Sequence, residues 1–344
     1  MGGDLKLFSE LLENNEQHQK LVEAHSYLQS AATYYGSANL IEGNESFTET
    51  LKQLGSDVGT KLLKAGNWAG GQALTALKTG FSKVNKELNF CFASNQTLIK
   101  KLSTGIGKLS DIEELSITAE QVANITSDGN LNTLIKDRDE LIDVCKVIKQ
   151  HTEEVNVYLE KSLIIFKRLA SVRNDGEALE IYNDFVSLQY PKLKLDYEKS
   201  NGMYATKELP AGKVITVTFK EGGNVSYSMS GSKPSGTPSS LDMSKDEIKH
   251  FIDKLNPINE LHKTLITANE YYLKFSANWA SAVKSVSSHL DDTNSISSTV
   301  CKDLESIMHG NANCLAFYSG FTPRLSTYVN KYIRDVLNIM SKLI

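Results

Sequence analysis

LNTLIKDRDELIDVCKVIKQHTEEVNVYLEKSLIIFKRL, residues 131–169, decides the fold class of this chain. Leu131, Leu134, Ile135, Leu141, Ile142, Cys145, Ile148, Val155, Leu159, Leu163, Phe166 and Leu169 recur at helical spacing, and charged residues fill the intervening positions. One apolar stripe sustained over about eleven turns is the mark of a long amphipathic helix packed in a helical layer. The turn Ser127-Asp128-Gly129-Asn130 precedes it, and Asn174-Asp175-Gly176 marks its end.

Working outward, proline placement carries the same message. All six prolines (Pro191, Pro210, Pro234, Pro238, Pro257 and Pro323) lie in the C-terminal half, so the first 190 residues can be helical nearly throughout. Leu5, Phe8, Leu12, Leu21, Leu28 and Tyr35 predict an amphipathic helix over about 5–36. A glycine-rich helical stretch follows at about 47–91, then a helix from Ser94 to Leu109, a short one from Thr118 to Ile125, and one over 177–188.

Past Tyr190-Pro191 the period drops to two. Val214 to Phe219 and Val225 to Met229 read as strands joined by the turn Lys220-Glu221-Gly222-Gly223-Asn224, and Gly231 to Ser240 reads as a polar flexible loop. Ser244-Lys245-Asp246-Glu247 has capping-box spacing, and Asn256-Pro257 and Thr322-Pro323 each set a capping side chain before a proline. Two amphipathic helices follow those prolines. The expected fold is mainly α: an elongated antiparallel helical bundle with one small β-hairpin insertion at about 204–230. Four regions result: an acidic amphipathic helix at 1–45, a helical region at 46–190 with its basic segment at 51–110, the hairpin and loop at 191–243, and a C-terminal helical region at 244–344.

At 344 residues, 40% hydrophobic and 23% charged, the chain can bury a sizeable core. The N-terminus has no basic stretch followed by an apolar one, no secretory signal is expected, and the Asn-x-Ser/Thr triplets at Asn44, Asn95, Asn124 and Asn224 are read as chance matches. No run of about 18 apolar residues is present to span a bilayer. Cys91, Cys145, Cys301 and Cys314 are widely separated and are expected as buried free thiols.

Motifs for chemistry are sparse. His18 and His25 sit seven apart and His250 and His262 straddle Pro257, but neither pair has metal-ligand spacing. A Gly-x-Ser-x-Gly elbow is absent, and Gly105-Ile106-Gly107-Lys108 has neither the spacing nor the Ser/Thr of a phosphate loop, so it reads as a helix break. No catalytic, cofactor-binding or metal-binding residue is assigned.

Charge is distributed more pointedly. Residues 1–50 hold eight carboxylates against two lysines, a balance of −6, whereas residues 51–110 hold nine lysines against two carboxylates, a balance of +7. Three readings stay open: complementary helices paired inside the fold, a sequence-independent phosphate-binding patch, or a membrane-surface segment over 59–92 using Trp68, Phe81, Phe90 and Phe92. The candidate contact residues for DNA or another anionic partner are Lys61, Lys64, Lys78, Lys83, Lys86, Lys100 and Lys101.

Several blocks taken in order resemble the internal head proteins of large tailed bacteriophages, which are packed inside the capsid with DNA. They are the acidic leucine-rich start, Gly59-Thr-Lys-Leu-Leu-Lys64, Ala73-Leu-Thr-Ala-Leu-Lys78, Thr97-Leu-Ile-Lys-Lys-Leu102, Glu208-Leu-Pro-Ala-Gly-Lys-Val-Ile-Thr-Val-Thr-Phe219, Leu241-Asp-Met-Ser-Lys-Asp-Glu-Ile248 and the closing helix from Pro323. The resemblance implies a non-enzymatic virion protein of the capsid interior, delivered to the host cytoplasm with DNA, whose partners are other virion proteins and, non-specifically, DNA. It also implies trimming by a maturation protease after an aliphatic-or-small, any, Glu triplet. Leu40-Ile41-Glu42 before Gly43 and Gly43-Asn44-Glu45 before Ser46 fit that pattern, making Glu42 and Glu45 the candidate cleavage positions. Cleavage after Glu42 would remove a charge of −4 and leave a neutral remainder with the lysine-rich segment at its front.

Overall fold

A computed structural model describes residues 72–106, 112–199, 202–220, 223–292, 313–314 and 316–343. The helix expected at 5–36, the candidate cleavage positions Glu42 and Glu45, Lys61, Lys64, Trp68, His18, His25 and Cys301 lie outside them. Within the described residues the protein is mainly helical, with small antiparallel sheets.

Three long helices form the frame: α1 (Gln72–Gly105), α3 (Leu134–Arg168) and α6 (Leu255–Asp292). Shorter helices are α2 (Ala119–Ile125), α4 (Asp175–Ser187), α5 (Lys245–Asp253) and α7 (Thr322–Met340). α1 runs unbroken through Gly80 and across the boundary between the expected stretches ending near 91 and starting at Ser94, because Phe81, Val84, Leu88, Leu98, Ile99 and Leu102 keep one buried face across it. Burial of that face, about 1.5–3 kcal/mol for each large apolar side chain, outweighs the cost of about 1 kcal/mol for an interior glycine.

Caps set the boundaries. The Thr118 side chain accepts from the Gln121 backbone N–H at the start of α2, and Ser244 accepts from that of Glu247 at the start of α5, completing the box read from the sequence. The hydrogen bonds from Ser244 hold the Glu247 carboxyl below its usual range. Two expected caps are corrected. Asn256 lies inside α6 and donates to the Asp253 carbonyl, because that helix begins at Leu255 directly behind α5. Thr322 donates its hydroxyl to the Tyr318 carbonyl, because a wide π-type turn over Ala316–Phe321 feeds straight into α7.

Helix directions follow from the side-chain contacts. Asn85 and Asn95 on α1 meet Asn269 and Asn259 on α6, so those helices are antiparallel. On α3 and α6, by contrast, Tyr271 reaches the Asn156 carbonyl, Phe166 stacks on Trp279 at 4.4 Å between ring centres, and His289 reaches the Val172 carbonyl. Both numbers rise together, so α3 and α6 run parallel, which corrects the all-antiparallel expectation. The chain between them is long enough to return to the starting end, and it holds α4, the sheet and α5.

The expected hairpin is β4 (Val214–Phe219) and β5 (Val225–Ser230), paired with Val217 opposite Tyr227. It belongs to a four-stranded antiparallel sheet with β2 (Tyr197–Lys199) and β3 (Met203–Ala205), in the order β2-β3-β4-β5. Ile215, Val217 and Val225 point into the core. A second ribbon joins β1 (Ile112–Ile117) to β6 (Ser239–Ser244), with Ile117 opposite Ser239 and Ile112 opposite Ser244. So the sheet structure exceeds a single hairpin.

The loop expected to be flexible before β6 is tied down. A Cβ at Gly236 would sit 1.9 Å from the Ala119 carbonyl oxygen, and one at Gly231, where φ is +101°, would sit 1.9 Å from that of Gly212. Thr237 N–H reaches the Gly129 carbonyl, and the Lys213 ammonium reaches that of Gly231. Serine, glycine and proline here serve close backbone approach rather than freedom.

Candidate anion-binding surface

Lys78, Lys83, Lys86, Lys100 and Lys101, five of the seven candidate contact residues, are exposed on α1. At about 100° per residue they fall within an arc of about 140°, directly opposite the face that buries Val84, Leu88, Cys91, Leu98 and Leu102. The same spacing that buries one side therefore gathers the lysines on the other. Glu87, the one carboxylate in the helix sequence, is half-buried at the edge of the arc. From Lys78 to Lys101 the arc extends about 35 Å along the helix, close to one turn of duplex DNA.

Aromatic residues expected at a membrane surface divide. Phe81 is a core residue, fully buried with its ring edge-on to Tyr272, so it is not part of any surface. Phe92 is half-buried, and Phe90, 39% exposed, lies within the lysine arc. Among the described residues no helix is long and apolar enough to cross a membrane.

At the C-terminal end of the arc α1 meets α5 across an open cleft of about 670 Å³. Lys100 enters it from α1, and Lys245 and Lys249, one turn apart, enter from α5. Ser103 donates to Asp253 at 2.8 Å, tethering the two helices and occupying one carboxylate oxygen. Periodicity alone did not reveal this cleft, since Lys245 and Lys249 are about 145 residues from Lys100. The charge run at 51–110 showed one wall only.

Two polar constellations lie in the core. Asn95 donates to both Asn259 (3.2 Å) and Asn330 (3.0 Å), Asn269 donates to Asn85 (2.8 Å), and Asn259 donates to the Phe92 carbonyl (2.9 Å). His262 completes this seam between Asn259 and the Ser326 carbonyl, and burial pulls its pKa down to about 4 against the opposing effect of those hydrogen bonds. His250, by contrast, is exposed on α5.

Where the sheet docks on α3 and the π-type turn, Tyr190 and Tyr227 share a hydroxyl–hydroxyl hydrogen bond of 2.8 Å, and Tyr318 donates to Asn156 at 2.6 Å. His151 lies edge-on to Phe317 at 5.0 Å, and burial lowers its pKa to about 3. Burial drives the Tyr190 hydroxyl and the Cys314 thiol well above their ordinary ranges, and it pushes the Cys91 and Cys145 thiols up to about 12. These cysteines are free, buried and held protonated, so their packing is that of small apolar side chains. Among the described residues no group of three or more His, Cys, Asp or Glu side chains is placed to hold a metal ion.

Comparison of the chain with protein-family models, with curated proteins and with solved structures returns no match.

Proposed function

We propose that the chain is a non-enzymatic internal head protein of a large tailed bacteriophage, packaged with the genome and carried into the host cytoplasm. In this reading the α1 lysine face touches DNA without sequence preference, other virion proteins and the capsid interior are its further partners, and the acidic segment ahead of Gly43 or Ser46 is removed during maturation. The observation that carries it is the lysine arc, about 35 Å long, with five exposed lysines and Glu87 alone as a carboxylate on the same helix, at the arc's edge. Helices of 34, 35 and 38 residues support reading the fold as an elongated bundle that presents that arc lengthwise. The ordered sequence blocks supply the phage context.

Mass spectrometry of the native protein in purified virions is the test. Presence in the virion with an N-terminus at Gly43 or Ser46 is expected, and absence from virions overturns the reading.

A second reading has its own support, since Phe90 is an exposed aromatic residue among the lysines. There α1 lies on an anionic bilayer. Flotation with vesicles containing anionic lipid, but not with neutral ones, would favour it, and no flotation with either would remove it.

A further inference from the structure

The cleft between α1 and α5 differs from the lysine face that leads into it. The face is convex and fits a polyanion lying across it. The cleft is concave, and its volume of about 670 Å³ is in the range that encloses a small organic ligand. Its charged rim takes Lys100 from one helix and Lys245 and Lys249 from the other, so positive charge converges from two walls. Of the two aspartates that line it, Asp253 already accepts from Ser103. Ile99 and Ile106 back it from the core and are themselves covered, so its apolar lining is the aliphatic stems of the lysines and the side chain of Thr104.

Convergent ammonium groups beside an apolar wall match a ligand with a compact anionic end and a flat, weakly polar body. We propose that this cleft binds a nucleoside phosphate, with the lysine ammonium groups on the phosphate and the aliphatic stems lining the cleft under the base or sugar. Lys100 belongs to both surfaces, so a nucleotide can come free from solution or as one unit of a strand lying on the α1 face. The proposal deepens the DNA-contact reading and rests on it only for the strand as source.

The test uses the full chain with four probes: deoxyadenosine monophosphate, deoxyadenosine, a single-stranded oligonucleotide and a duplex of the same length. Titration calorimetry measures the mononucleotide and nucleoside, and fluorescence anisotropy measures the two nucleic acids. The monophosphate or the single strand is expected to bind, and deoxyadenosine to bind far more weakly. Lys249→Gln and the charge-neutral, cleft-filling Thr104→Trp are each expected to weaken that binding at least about tenfold, the scale of one lost charge-assisted contact. Lys83→Gln, outside the cleft, should leave monophosphate binding unchanged. Binding of the monophosphate identifies a free nucleotide as a ligand, whereas binding of the single strand alone identifies the strand.

The proposal is overturned if neither the monophosphate nor the single strand binds, or if both cleft variants bind them as the unaltered protein does. Duplex affinity that falls with Lys78, Lys83 and Lys86 substitutions but ignores the cleft variants leaves the DNA reading standing without this site. Monophosphate binding that needs the cleft, with no duplex binding at all, does the reverse.

Discussion

Asn95 and Asn259, 164 positions apart, meet at 3.2 Å in the centre of the bundle, and the same Asn95 amide also reaches Asn330 at 3.0 Å. One buried side chain therefore bridges α1, α6 and α7. Asn95→Leu leaves the Asn330 oxygen without this donor and is expected to cost about 2–4 kcal/mol, from an orphaned buried polar group plus lost hydrogen bonds. Urea unfolding measures the loss, and a double-mutant cycle with Asn330→Leu should show coupling of about 0.5–3 kcal/mol. Simple additivity would mean that the bridge contributes nothing specific.

Acid should weaken the fold well above the carboxylate range. His151 and His262 have folded-state pKa values lowered to about 3 and about 4 by burial. The unfolded chain, titrating near 6.5, takes up protons that the folded one refuses. Stability is thus complete above about pH 6.5 and falls as pH drops toward the folded values, by about 2 kcal/mol per histidine on reaching pH 5. Denaturant midpoints at pH 7.5 and pH 5 should differ accordingly, and His151→Gln should flatten the dependence. A midpoint equal at both pH values would refute the assignment.

Phe166 and Trp279 tie the parallel pair α3 and α6 together by stacking at 4.4 Å, with the indole buried. Trp279→Ala should cost about 3–5 kcal/mol, and Trp279→Phe clearly less, because a ring is kept. Thermal unfolding by circular dichroism at 222 nm provides the ranking.

Gly236→Ala tests whether the loop before β6 is seated or free. The added methyl would meet the Ala119 carbonyl at 1.9 Å, so the loop must lift away. Cleavage by a broad-specificity protease within 231–238 should become faster in the variant, while helix content stays the same. Equal cleavage rates would mean that the backbone does not hold that close approach in solution.

Salt should reveal how many lysines touch a polyanion. If the α1 face binds duplex DNA, replacing Lys78, Lys83 and Lys86 with glutamine should reduce the slope of log affinity against log salt by up to about 0.9 for each lost contact. Anisotropy titrations between 50 and 200 mM salt measure it, and an unchanged slope would place the contact elsewhere.

Much of the helical layout is legible in the sequence. The stripe from Leu131 to Leu169 yields α3 with its bounds nearly right, the Ser244–Glu247 box marks the start of α5, and alternation at 214–229 yields β4 and β5. Each signal is local, since the periods of 3.6 and 2 are fulfilled within one segment. The lysine arc was half legible in the same way, as a charge run on a helix.

The remainder was not. Six residues of β1 and six of β6 pair across more than a hundred positions; β1, IEELSI, has no sustained two-residue alternation, and β6, SSLDMS, has only Leu241 and Met243 to mark one inside a serine-rich stretch. Thr322 looked like a cap because proline follows it, but packing of Phe317, Tyr318 and Phe321 carries the helical turn through it.

By itself the sequence determined where the chain coils, where it extends and which sides of each helix are apolar or basic, because these follow from spacing along one segment. The tertiary structure alone decided that α3 and α6 run parallel, that five asparagines and His262 share one buried seam, and that Lys100 faces Lys249 across a cleft. Those facts depend on which distant faces meet. That choice is made by the summed burial of apolar stripes and by the need to partner each buried amide, and no single segment encodes it.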